Sequence, residues 1–157
     1  MDGSSLVINE FMAANAQVWF DLDGDSSDWL EIYNPTTAAV DLDGWYLTDD
    51  DDNLTKWQFP DVTLAEDDYL VVFASEKDRR VAGSDLHTNF KLTQDGEYLA
   101  LVDPDGQTVV HEYAPAYPKQ FDETSYGLSR DLAEFSVAGG ENLFDATSKR
   151  SWPSTAK

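Results

Sequence analysis

The chain has 157 residues, enough for one domain with its own core, and carries 31 acidic against 10 basic side chains, a formal charge of −21. That balance opposes binding to a phosphate backbone or to an anionic membrane surface, since both need clustered Lys and Arg. There is no cysteine, which excludes disulfides, Cys-ligated zinc and a thiol nucleophile.

Short apolar or alternating runs then recur along the chain, each closed by a turn signal. Leu6-Val7-Ile8-Asn9-Glu10-Phe11 is the first. Trp29-Leu30-Glu31-Ile32-Tyr33 alternates, with Leu30 and Ile32 on one face, and stops at Asn34-Pro35. Val40-Asp41-Leu42 passes through Asp43-Gly44 into Trp45-Tyr46-Leu47-Thr48, and Trp57-Gln58-Phe59 ends at Pro60. Tyr69-Leu70-Val71-Val72-Phe73 is apolar on both faces and predicts a central strand. Phe90-Lys91-Leu92 follows. Tyr98-Leu99-Ala100-Leu101-Val102 and Thr108-Val109-Val110-His111-Glu112-Tyr113 flank Asp103-Pro104-Asp105-Gly106 and predict a hairpin, and Ser125-Tyr126-Gly127-Leu128-Ser129 is a weaker strand. Segment 75–83 has the charge pattern of a single helical turn. Turn signals every 8–12 residues predict an all-β sandwich or barrel. The excess of Asp (22) over Glu (9) agrees, because Asp favours turns over helix interiors. Residues 1–5 are expected to be a disordered end, 6–137 the domain, and 138–157 a linker or tail from which Phe144 and Trp152 could dock. No apolar run approaches the ~20 residues of a membrane helix. The first residues lack the basic and apolar regions of a secretory leader.

Several words occur in a fixed order: Ile8-Asn9-Glu10-Phe11, Asp28-Trp29-Leu30-Glu31-Ile32-Tyr33-Asn34-Pro35, Val40-Asp41-Leu42-Asp43-Gly44-Trp45-Tyr46-Leu47-Thr48-Asp49, and Lys56-Trp57-Gln58-Phe59-Pro60. After these come Tyr69-Leu70-Val71-Val72-Phe73-Ala74, Leu86-His87-Thr88-Asn89-Phe90-Lys91-Leu92, and Gly96-Glu97-Tyr98-Leu99-Ala100-Leu101-Val102-Asp103. The series, from about residue 6 to about residue 130, resembles a bacterial-type lamin-tail domain. The resemblance implies an immunoglobulin-like β-sandwich of about eight or nine strands and a non-catalytic interaction or spacer module. In bacteria such modules sit in larger secreted or cell-surface proteins, often beside hydrolases. The expected partners are neighbouring domains or other proteins, with the chain itself a monomer. The DNA contacts of animal lamins are not carried over, because the charge of −21 opposes them.

The sharpest local signal is Asp21-Leu22-Asp23-Gly24-Asp25-Ser26-Ser27-Asp28. Alternate Asp residues can turn three carboxylates into one loop, with Asp28 closing it. Asp21, Asp23, Asp25 and Asp28 are therefore the candidate metal ligands, and hard oxygen donors in a flexible loop suit calcium. The pattern departs from an EF-hand, with Gly at the fourth position and Ile32 at the twelfth. A solvated turn capping its own amides is the competing reading. Asp49-Asp50-Asp51-Asp52 is a second acidic turn, expected to converge poorly because neighbours alternate sides. No nucleophile motif is present, His87 with Asp85 has no nucleophile beside it in sequence, and no catalytic residue or organic cofactor is assigned. The density of Trp19, Phe20, Trp29, Tyr33, Trp45, Tyr46 and Trp57 raises an alternative, a carbohydrate-binding module with exposed rings, against the plainer expectation of core packing.

Overall fold

The structure is a computed structural model that describes residues 5–128. The expectations for residues 1–4 and 129–157, Phe144 and Trp152 included, lie outside the described residues. Among the described residues eleven strands follow in order: β1 (Val7–Met12), β2 (Asp28–Tyr33), β3 (Val40–Asp41), β4 (Tyr46–Thr48), β5 (Trp57–Gln58), β6 (Thr63–Leu64), β7 (Tyr69–Ala74), β8 (Leu86–His87), β9 (Leu99–Val102), β10 (Val109–Tyr113) and β11 (Tyr126–Gly127). One sheet has the order β11-β1-β2-β7-β8, and the facing sheet the order β10-β9-β4-β5. A β3-β6 ribbon lies apart from both. The chain is a β-sandwich, one of the two architectures the turn spacing leaves open, and an immunoglobulin-like one, as the resemblance implies.

Alternation explains the core. Leu30 and Ile32 of β2 point inward with Ile8, Phe11 and Val72 and meet Leu47, Leu99 and Leu101 of the opposite sheet. Burying a ring such as Phe11 contributes up to about 3 kcal/mol. That ring also lies 4.6 Å from Tyr117 and 5.2 Å from Tyr113. The expected central strand is central, with β7 between β2 and β8. The expected hairpin is the antiparallel pair β9-β10.

Trp29 has the opposite phase to Leu30 and Ile32, yet it is only 1% exposed. Its outer face of the sheet is covered by a second, smaller core in which Met12, Trp29 and Phe73 receive Trp19 from the β1–β2 connection. Trp57 is also buried, at 1%. The row of exposed Trp rings that a sugar-binding face needs is therefore not formed by these residues.

Segment 75–83 is not a helical turn. Glu76 and Asp78 have positive φ, and Arg79 pairs with His87 across the connection. Phe90-Lys91-Leu92 forms no strand, and only Lys91 makes an isolated bridge, to Ser75.

Strand β1 carries a bulge, with its register to β2 shifting between Ile8 and Glu10. On its other side, β11 pairs only with Glu10 and Phe11. Ile8 lies beyond that pairing and is satisfied from the opposite sheet. Its N–H donates to His111 Nδ1 at 3.1 Å, and Tyr113 Oη donates to its carbonyl at 2.8 Å. These two bonds tie the sheets together at one edge. Gly127 permits the close approach of β11, because a Cβ there would meet the Asn9 carbonyl oxygen and come within 2.9 Å of Glu10 Cα. Gly127→Ala should lower stability by more than about 2 kcal/mol in urea denaturation, through backbone displacement. An unchanged midpoint would mean that β11 does not close on β1 in solution.

Candidate functional site

The β1–β2 connection, residues 13–27, is long and lacks strand pairing over most of its length, so side chains must give it shape. Asn15 does this at one end. Its Nδ2 donates to the carbonyls of Trp19 and Ser27 (2.7 and 2.8 Å), and its Oδ1 accepts from the amides of Val18 and Trp19. Glu123 accepts from the amides of Ala16 and Gln17. At the other end, Asp85 accepts from the Leu22 amide at 2.7 Å.

The acidic turn is built around Asp21, whose side chain is fully buried. Its Oδ1 accepts from the amides of Asp23 and Asp25, both at 2.9 Å. Gly24 supplies the positive φ that lets the chain curl over this carboxylate. The outcome is what alternation predicts for three of the four candidates: carboxylate oxygens of Asp21, Asp23 and Asp25 lie within 4.8 Å of one another.

A cation from this chain stands among them. Lys77 Nζ is 2.6 Å from Asp21 Oδ2, 2.7 Å from Asp23 Oδ2 and 3.0 Å from Asp25 Oδ2. Arg79 adds a second bond to Asp23 at 2.9 Å. Burial opposes charge on Asp21, but the Lys77 ammonium and the amides of Asp25 and Asp23 outweigh it and hold its pKa below the ordinary value. Lys77 and Arg79 hold Asp23 at about 2. Burial works against the ammonium too, and the carboxylates prevail, so the Lys77 pKa is raised. The three carboxylates and the two cations leave a local charge of −1.

His87 lies below this turn and is wholly buried. Its Nδ1 shares a hydrogen bond with Ser75 Oγ at 2.8 Å, and its Nε2 is 3.9 Å from Asp21 Oδ2. Burial first, then the nearby Arg79 and Lys77 charges, lower its pKa, against the opposite pull of Asp21 and Asp85. Its neighbours are Ser75 and Asp21, whereas Asp85, its neighbour in sequence, is spent on Leu22.

Asp28, the fourth candidate ligand, stands apart from the other three. It is the first residue of β2 and lines a cavity of about 540 Å³ together with Asn15, Phe20, Asp25, Ser75 and Lys91. Burial raises its pKa to about 6, against the pull of the Asn15 and Leu92 amides and the Lys91 charge. The second acidic turn converges more than expected. A turn at Asp50, Asp51 and Asp52 brings their carboxylates within 4.8 Å of one another, while Asp49 pairs with Lys56 at 2.6 Å. Sequence reasoning missed Lys77 and Arg79, and their only sequence signal was position, just after a strand that pairs with the strand the acidic turn leads into.

The fold takes up a proton at Asp28 more readily than the unfolded chain, whose carboxyl keeps the ordinary value of 3.8. The ionised group therefore costs stability above pH 6, and that cost fades as the pH falls towards 4. Asp28→Asn should melt higher than the native chain at pH 8, with the difference shrinking to near zero at pH 4. A variant that melts lower at pH 8 would show that the carboxylate is stabilising as charged.

Compared with known proteins, residues 1–115 match the family model described as Lamin Tail Domain. No curated protein matches the chain, and no solved structure does. The match ends before β11, yet the pairing of β11 with β1 carries the sandwich on to Gly127. With 115 of its 157 residues inside that match, the chain belongs to the lamin tail domain family.

Proposed function

We propose that this domain is a non-catalytic interaction module of a larger secreted or cell-surface protein, and that it meets other proteins through the β1–β2 loop and the segments that hold it. Domains of this family are in general non-enzymatic, and an interaction role is the one the family suggests. The observation that carries the location is the distribution of exposed large apolar side chains. Among the described residues these are Val18, Phe20, Leu22, Val81 and Phe121. Three stand on the loop. Val81 stands between Arg79 and Asp85, which grip the loop at Asp23 and Leu22, and Phe121 stands two residues before Glu123, which grips it at Ala16 and Gln17. Leu22 is 74% exposed although its own amide is fixed. Exposed apolar groups gathered on a pinned loop give a preorganised contact surface.

The immobilised chain should retain specific proteins from the extracellular fraction of its source. The double variant Phe20→Asp, Leu22→Asp should lose them, and Gln107→Asp on the far β9–β10 turn should keep them. Equal retention by all three forms would place the contact surface elsewhere.

For the acidic turn, the reading is that Lys77 serves as the resident cation and that calcium competes with it for Asp21, Asp23 and Asp25. General screening of the charge of −21 must be removed first by working at high NaCl. Under that condition, millimolar Ca²⁺ against chelator should move the native Tm by less than about 2 °C. Lys77→Met should melt lower by on the order of 5 °C in chelator and recover much of that loss in Ca²⁺ by mass action. A large calcium shift in the native chain, abolished by Asp25→Asn, would instead make the turn a dedicated calcium site.

A further inference from the structure

We propose that His111 is a proton-sensitive latch: the neutral ring ties the first half of β1 to the opposite sheet, and a proton on the ring opens that tie. The latch is independent of the loop surface proposed above. Two bulges set its parts. The register of β1 to β2 shifts between Ile8 and Glu10, and the register of β10 to β9 shifts between Val109 and His111. Past the second bulge, His111 and Tyr113 are two residues apart on β10 and share one face of it. Together they meet both main-chain groups of Ile8, His111 at the N–H and Tyr113 at the carbonyl. Their rings pack edge to face, with centroids 5.3 Å apart.

The chemistry of the bond to Nδ1 makes it sensitive to protons. A backbone N–H can only donate, so Nδ1 accepts through its lone pair and the one ring proton sits on Nε2. Protonation puts a second donor on Nδ1, facing the Ile8 N–H. The bond is lost, and the amide of a wholly buried residue is left without an acceptor. His111 is itself only half-buried, which gives protons access from solvent. Burial lowers its pKa, against the pull of Glu112, and a bond that only the neutral ring can accept acts in the same direction as burial. Among the described residues, the charged and titratable groups around it come from three strands. On β10, Glu112 receives the Tyr98 hydroxyl at 2.8 Å. Glu10 of β1 and Tyr126 of β11 act on Tyr113, whose own pKa burial pushes up and out of this range. Strand β9 places the apolar Leu101 opposite His111. The unfolded ring keeps the ordinary value of 6.5, so the tie is whole above that pH and is lost as the pH falls through the lower value of the folded ring. His87 shares that sign and Asp28 opposes it, so a melt by itself does not isolate the latch.

The test is therefore local, and uses the full ¹⁵N-labelled chain at 150 mM NaCl from pH 8 to pH 4.5. At pH 8 the ring nitrogens of His111 should show a proton on Nε2 alone, with a scalar coupling across the hydrogen bond from the Ile8 nitrogen to Nδ1. As His111 titrates, that coupling should vanish and the hydrogen-exchange protection factor of the Ile8 amide should fall at least tenfold, while that of Val72 in the centre of the sheet changes less than twofold. These readings come from the native chain and need no variant to fold. His111→Asn, whose Oδ1 can accept from the Ile8 amide and does not titrate, should keep Ile8 protected across the range. Tyr113→Phe should loosen the tie from its other side and let His111 titrate closer to pH 6.5. A ring protonated on Nδ1 at pH 8, an Ile8 amide equally protected before and after His111 titrates, or a loss of protection that persists in His111→Asn would each overturn the proposal.

Discussion

Three carboxylates within 4.8 Å of one another repel strongly unless a cation stands among them, and in this domain the cation is the ammonium of Lys77. The shape of the β1–β2 loop depends on it. Asp21 faces two ways, with one oxygen gathering the amides of Asp23 and Asp25 and the other receiving Lys77. Removing the ammonium would leave a buried carboxylate uncompensated and set the neighbouring charges against each other. The loop would then release Leu22 and Phe20 from fixed positions, and with them the shape of the proposed contact surface.

The same loop has a structural duty on the sheet below it. A two-sheet sandwich normally leaves the outer faces of its sheets to solvent, but here β2 and β7 bury side chains on both faces near Trp29 and Phe73. Trp19 closes that outer core, with its ring 5.6 Å from Trp29 and 6.3 Å from Phe73. The loop is therefore clamped at three places: by apolar contact in its middle, by Glu123 near its start, and by Lys77, Arg79 and Asp85 near its end. A loop held in this way presents exposed apolar groups with little ordering entropy left to lose on contact.

Much of the sandwich was legible in the sequence because period-two alternation is a local property. Leu30 and Ile32 disclosed the inward face of β2, and the apolar run at residues 69–73 disclosed a strand flanked on both sides. The ordered words from Ile8 to Asp103 carried the family. The reach of Trp19 over Trp29 was not legible, since it depends on how a long connection folds back. The convergence of Asp21, Asp23 and Asp25 was legible from their spacing, but its cation was not, because Lys77 lies 52 to 56 residues away in the chain. Asp28 does not join the other three carboxylates. It begins β2, past the turn that gathers Asp21, Asp23 and Asp25, and lines the cavity that Lys91 also lines. The turn at Asp50, Asp51 and Asp52 erred in the opposite sense, because alternation holds in an extended strand and not in a turn.

The central claim is that the loop is ordered by a cation belonging to the chain itself. Nitrogen-detected NMR of the lysine ammonium groups tests this most directly, in a metal-free sample with chelator present. Lys77 should give a slowly exchanging ammonium signal with hydrogen-bond couplings to the carboxylate carbon of Asp21, and the amides of residues 22–25 should be sharp. A Lys77 ammonium that exchanges as fast as that of a surface lysine, together with loop amides that sharpen only when Ca²⁺ is added, would contradict it.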